Sequence, residues 1–238
     1  MSCCKTNDRE LQRIPRSNPQ TILVESPLPK NFEDEKGNVF CYKLTTVMQA
    51  GEKLEQRGCG PNFQGARITL CTCMRYHRTW PSISVGTWIA GFTGNNSGNK
   101  LFYLMRVQHA TETFSKLWDS GWLPDRRAKS SRYHVFGDLY QPLSTATAID
   151  PHDPALYYPP RHGHKHDYVA VPARDGVAPV LEWHKDINKF APRKPHKLLV
   201  GEPGKSFIWR HPRYSYKDKP HPRFQLFGTV AEFYEHLE

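Results

Sequence analysis

No apolar run in this 238-residue chain approaches the roughly 20 residues that a membrane-spanning helix needs. The opening residues, Met1-Ser2-Cys3-Cys4-Lys5, lack the apolar stretch of a secretory signal. A cytoplasmic location with no membrane partner follows as an expectation, and with it six reduced cysteines. Ser2 stands where N-myristoylation requires glycine, so Cys3 and Cys4 are read as inert. Acids are in short supply: 23 Asp and Glu face 33 Lys and Arg, a net charge of +10. That balance favours a polyanionic partner, nucleotide or nucleic acid, over a merely solvated basic surface. The apolar fraction, 38%, is low, but aromatics at 12% argue against wholesale disorder. Solenoid-period repeats are absent.

Two familiar motifs are also missing. Gly201-Glu202-Pro203-Gly204-Lys205-Ser206 resembles a phosphate loop, yet the glycine that the pattern requires is Leu199, and Pro203 removes an amide that would cradle phosphate. Cys59, Cys71, Cys73 and His77 do not fall into the paired Cys-x-x-Cys arms of a structural zinc site.

What is present reads as α+β with a mixed, mostly antiparallel sheet and few short helices. Residues 1–37 carry six bases and six acids with few large apolar residues, which predicts a disordered polar arm ahead of one α+β domain over 38–238. Alternation predicts strands at 38–45 and 66–73, and a hairpin of 84–92 with 100–109 turned by Thr93–Asn99. In the second hairpin strand, parity places Leu101, Tyr103, Met105 and Val107 on one face, with Phe102, Leu104 and Arg106 on the other. A short helix at 112–119 has Thr111 as its cap. A last helix carries the capping-box pair Thr229 and Glu232. Short strands are expected at 168–171, 197–200 and 206–210.

Candidate chemistry gathers in four places. The stretch 189–223 holds ten Lys or Arg against Glu202 and Asp218, interleaved with Phe190, Phe207, Trp209, Tyr214 and Tyr216. Cations such as Lys205 and Arg210 hold phosphates while rings stack on bases; the alternative is aromatics that pack the core. His162, His164 and His166, with Asp167, alternate along an extended segment. They are weak metal candidates, and His164 or His166 could equally move protons; no metal or other cofactor is assigned. A thiol activated by a nearby base would be a nucleophile, otherwise a buried inert residue. Asp138, after Gly137, is a turn or cap residue, or a ligand for a base edge or a metal.

Several segments fall in one order: Tyr42-Lys43-Leu44, Pro61-Asn62-Phe63, Ile68-Thr69-Leu70-Cys71-Thr72-Cys73, Val85-Gly86-Thr87-Trp88-Ile89-Ala90-Gly91, Lys100 to Val107, Thr113-Phe114 with Trp118, Gly137-Asp138-Leu139-Tyr140, and Lys197 to Val200. This order, over residues 39–210, resembles the second of the nucleotide modification associated domain families of bacteria and their phages. The chain departs from it at Gly86-Thr87, where the family has Gly-Asp, and at Cys73-Met74-Arg75, where it has Cys-Lys-Pro. The resemblance implies modification of a nucleobase in DNA, more than RNA, or in a nucleotide, inside a bacterial cell or phage-infected host. It implies Cys73, Asp138, Asn62 and His166 as catalytic residues, with His164 of the same loop as the alternative proton-handling histidine. Trp88 and Tyr140 would stack on the base, and Arg106 would meet phosphate, with Arg75, Lys205 and Arg210 as further cations. The element order is also similar to PUA-like, partly closed barrels. The competing reading is a non-catalytic reader of a modified or flipped base. Whether the chain is an enzyme, and in what oligomeric state, stays open.

Overall fold

The computed structural model describes residues 12, 21–72, 83–143, 156–158, 160, 161, 168–171, 180–183, 197–217 and 224–238. The strands are β1 (Leu23–Val24), β2 (Val39–Lys43), β3 (Val47–Ala50), β4 (Lys53–Gln56), β5 (Thr69–Leu70), β6 (Trp88–Phe92) and β7 (Leu101–Thr111). Helices α1 (Phe114–Asp119) and α2 (Arg126–Lys129) follow, then β8 (Tyr168–Val171), β9 (Val180–Trp183), β10 (Leu198–Ile208), β11 (Phe224–Phe227) and helix α3 (Val230–Glu235).

The fold is mixed α+β with few short helices. Its main sheet runs β1-β10-β7-β6-β2-β11, with β5 also on β10; β3-β4 and β8-β9 pair separately. Within the main sheet only β1–β10 and β2–β6 are parallel. Among the described residues the sheet is open, ending at β11 on one side and at β1 and β5 on the other, and it does not close into a barrel.

Both faces are covered, which is why β2 and β6 are buried at nearly every position. One core gathers Phe40, Tyr42, Ile89, Tyr103, Met105 and Val107 beneath Leu54, Phe63 and Ile68. The other gathers Val39, Cys41, Trp88, Ala90, Leu104 and Phe207 beneath Phe32, Val230 and Phe233. A third cluster, with Phe114, Leu117, Leu139 and Tyr140, closes over Leu198 and Val200.

Local chemistry explains the elements that match expectation. The β6–β7 hairpin turns through Gly98 and Asn99, both at positive φ. Thr229 Oγ1 accepts from Glu232 N at 3.1 Å, and Glu232 accepts from Gly228 N at 2.8 Å, a capping box displaced by one residue.

Other expectations are corrected. The arm is not wholly free: β1 pairs with β10, Ile22 and Phe32 are fully buried, and Gln12 inserts its amide between Gly58 O, Pro61 O and Phe63 N. A few large apolar residues sufficed to anchor it. Of the expected strand over 66–73, the described residues form strand at β5 alone. Thr113, not Thr111, caps α1, accepting from Lys116 N at 3.2 Å. Strand parity in β7 breaks at a register shift beside Phe92, so Leu101 turns to the Trp88 face and Phe102 joins Tyr103. The two late strands are one, β10, whose ladder skips from Gly201↔Val107 to Ser206↔Met105. The phosphate-loop look-alike is this excursion. Strands β3, β4 and β11 gave no clear sequence signal. Cys59 is disulfide-bonded, which corrects the expectation of uniformly reduced thiols, whereas Cys41 and Cys71 form no disulfide. No helix among the described residues is long and apolar enough to cross a membrane.

Candidate functional site

The segment 62–71 runs along the edge of β10, and its polar groups meet the turn after α2. Asn62 and Thr69 exchange backbone hydrogen bonds of 2.9 and 2.8 Å. Lys129, the last residue of α2, is fully buried and donates to Asn62 O (2.9 Å), Asn62 Oδ1 (3.1 Å) and Arg67 O. All three ammonium protons are thereby matched to uncharged oxygens. Asn62 in turn donates to Phe136 O. Asp138 is fully buried as well, accepting from Thr69 Oγ1 at 2.8 Å and from Cys71 N at 3.1 Å. Gly137 makes this possible: a Cβ there would lie 2.3 Å from Ser131 N and 2.5 Å from Ser130 O.

The electrostatics follow from burial. Desolvation pushes the Asp138 carboxyl up to about 6, against the attraction of Lys129 and its hydrogen bonds. Desolvation likewise brings Lys129 down to about 8, against Asp138 and Asp125. An acid and an amine that bracket neutral pH suit proton transfer. Both groups are closed to solvent, however, and their hydrogen bonds are those of a structural clasp.

That clasp holds α2 in place. A single helical turn has little stability of its own. Its N-cap residue, Asp125, accepts from Ala66 N at one end, and Lys129 grips Asn62 and Arg67 at the other. Gly65 admits the Asp125 carboxylate, since a Cβ would sit 1.7 Å from Oδ2.

Held this way, α2 turns Arg126 and Arg127 to solvent. Arg126 lies 5.2 Å from the centre of the Trp118 ring and donates to Trp118 O at 2.7 Å. Arg127 and Arg132 lie 5.0 and 5.2 Å from the Tyr133 ring, and Arg132 lies 3.6 Å from the Tyr158 ring. Arg161, exposed, donates to Tyr133 O at 3.2 Å. Trp122 stacks flat on His109 at 4.3 Å nearby. None of these four arginines meets a carboxylate among the described residues. Arg57, Arg106, Lys205 and Arg210 each do, with Glu55, Glu202, Glu35 and Glu25.

The sequence-nominated residues fall out differently. Asn62 and Asp138 are brought together through Thr69 and Lys129, in the clasp. Trp88 is 1% exposed, edge-on to Phe32 at 5.2 Å, so it cannot stack on a ligand. Tyr140 is fully buried against Phe114 at 4.7 Å and is likewise core. Arg106 is the cross-strand partner of Trp88 but turns to the rim, 2.6 Å from Glu202. Lys205 contacts both oxygens of Glu35 at 2.9 Å. The open depression between them, also lined by Asn31, Asp34 and Lys36, matches three cations with the carboxylates of Asp34, Glu35 and Glu202, which disfavours phosphate. Arg210 sits apart on Glu25. Phe207, Trp209 and Tyr216 of the basic stretch are buried, with Trp209 Nε1 donating to Ser26 O. Cys73, Arg75, His162, His164, His166 and Asp167 lie outside the described residues. No cluster able to hold a metal occurs among the described residues.

Sequence reasoning missed Lys129 and the arginine–aromatic strip. The interleaving that drew attention to 189–223 also runs through 118–133, and was the available signal. Lys129 had none, because a lysine in Asp125-Arg126-Arg127-Ala128-Lys129 reads as one more solvated charge. Compared with protein-family models, curated proteins and solved structures, the chain matches none. The resemblance to the nucleotide modification associated family therefore rests on its motifs alone.

Proposed function

We propose that this protein binds nucleic acid through the strip formed by Arg126, Arg127, Arg132 and Arg161 with their aromatic partners, and that it handles bases as a reader. One observation carries the reading: four arginines without carboxylate partners among the described residues, interleaved with aromatic rings. Clustered like charges repel one another, and phosphates relieve that repulsion while releasing counterions. The net charge of +10 points the same way. The PUA-like barrel is not carried into the proposal, because the sheet is open.

The second reading, modification of a base in DNA or in a nucleotide, draws on the buried pair Asp138 and Lys129 beside Asn62. It requires that this closed clasp open to a substrate, and for that reason it ranks second.

Fluorescence anisotropy with labelled oligonucleotides tests the reading. Four phosphate contacts give a slope of log K against log salt of about −3 for a single strand, so a fourfold rise in salt weakens binding about 50-fold. Replacing all four arginines by Gln should abolish binding and leave the fold intact. Unchanged binding would refute the proposal. Altered nucleosides in cells expressing the wild type, absent with Asp138→Asn, would favour the second reading.

A further inference from the structure

We infer that the nucleic acid this strip takes is single-stranded, held by an unpaired base stacked on the run of contacts Tyr158–Arg132–Tyr133–Arg127; this rests on the reading of the strip as a nucleic-acid surface. The geometry points to flat recognition. Arg132 touches the rings of both Tyr158 and Tyr133, and Arg127 adds a further guanidinium above Tyr133. Guanidinium planes and phenol rings are the platforms on which splayed bases stack. These side chains are partly or fully exposed, unlike Trp88 and Tyr140, so a ligand can reach them.

A duplex fits the same surface poorly. Its bases are already stacked and offer no face to a ring. Reading them needs an element that follows a groove over several base pairs, and α2, at four residues, is only about 6 Å long, under two base-pair steps of about 3.4 Å. Arg127 and Arg132 lie against aromatic rings and meet no carboxylate among the described residues, so a guanidinium there can serve stacking and phosphate contact together. Arg161, carried on the neighbouring segment and tied to Tyr133 O, extends the phosphate track by one residue.

The test uses the full chain and four labelled probes: oligothymidylate, oligouridylate, a duplex of matched length, and an abasic strand of matched length. The inference expects either single strand to bind at least tenfold more tightly than the duplex and the abasic strand. It expects Tyr133→Leu and Tyr158→Leu each to cost about tenfold or more with the salt slope unchanged, and Tyr133→Phe to restore binding. Leu keeps an apolar side chain while removing the ring face, and thermal unfolding checks that each variant is folded. Equal binding of the abasic strand, tighter binding of the duplex, or silent tyrosine variants would overturn the single-strand inference while the nucleic-acid reading stands. Failure of every probe to bind at low salt would overturn both.

Discussion

Asp138 gives the sharpest test of the clasp. Its carboxyl titrates near 6 in the folded protein against 3.8 as an ordinary side chain. The folded state therefore binds this proton more tightly than the unfolded state does. Stability from the group is gained as pH falls from about 6 towards 4, opposite to the usual salt-bridged carboxylate. At neutral pH the burial penalty is at its full value of about 3 kcal/mol, from 1.36 kcal/mol per pH unit. On going from about pH 7 to about pH 4, roughly 2 kcal/mol of it is relieved. Asp138→Asn removes the titration and little else in volume, so the difference between wild-type and variant stability isolates the group. Urea unfolding followed by tryptophan fluorescence at a series of pH values measures it. The wild type should gain about 2 kcal/mol on the variant across that interval. A flat difference, or one that runs the other way, would mean that Asp138 stays ionised when buried, and the account of the clasp would be wrong. Lys129 supplies the mirror case: lowered to about 8 from 10.5, it makes stability rise as pH increases between those values, an increase that Lys129→Met should remove.

Three further outcomes are expected. Lys129→Met leaves the oxygens of Asn62 and Arg67 without their donor and Asp138 without its countercharge, and should cost about 3–5 kcal/mol in chemical denaturation at neutral pH. Trp88→Ala should cost about 3–5 kcal/mol as a core deletion, yet leave oligonucleotide affinity per folded molecule unchanged in anisotropy. Gly137→Ala forces a methyl against the Ser130–Ser131 backbone and should cost at least about 1–3 kcal/mol, read from the urea midpoint.

The local pattern was legible wherever one rule acts on neighbouring residues. The alternation of β2, the hairpin of β6 and β7 with its positive-φ turn, and the Thr229–Glu232 cap all follow from short-range sterics and hydrogen bonding. The mostly antiparallel α+β class followed from their sum. Illegible were the features set by distant partners. The break in β7 parity depends on how β6 lies against it, and β11 exists because β2 offers it an edge.

The candidate site divides on the same line. Composition alone determined that the chain is basic and rich in aromatics, since charge and ring content do not depend on how the chain folds. Which cations are free and which rings are exposed was decided only in three dimensions. Trp88 and Tyr140 look like base platforms along the chain, but the sheet and α1 bury them. Arg106 and Lys205 look like phosphate ligands, but Glu202 and Glu35 neutralise them across 96 and 170 residues of sequence. Lys129 looks solvated, yet contacts with Asn62 and Arg67, more than 60 residues away, draw it inside and so turn its arginine neighbours outward. Pairing and burial are properties of the packed chain, because the desolvation that sets them is imposed by residues far apart in sequence.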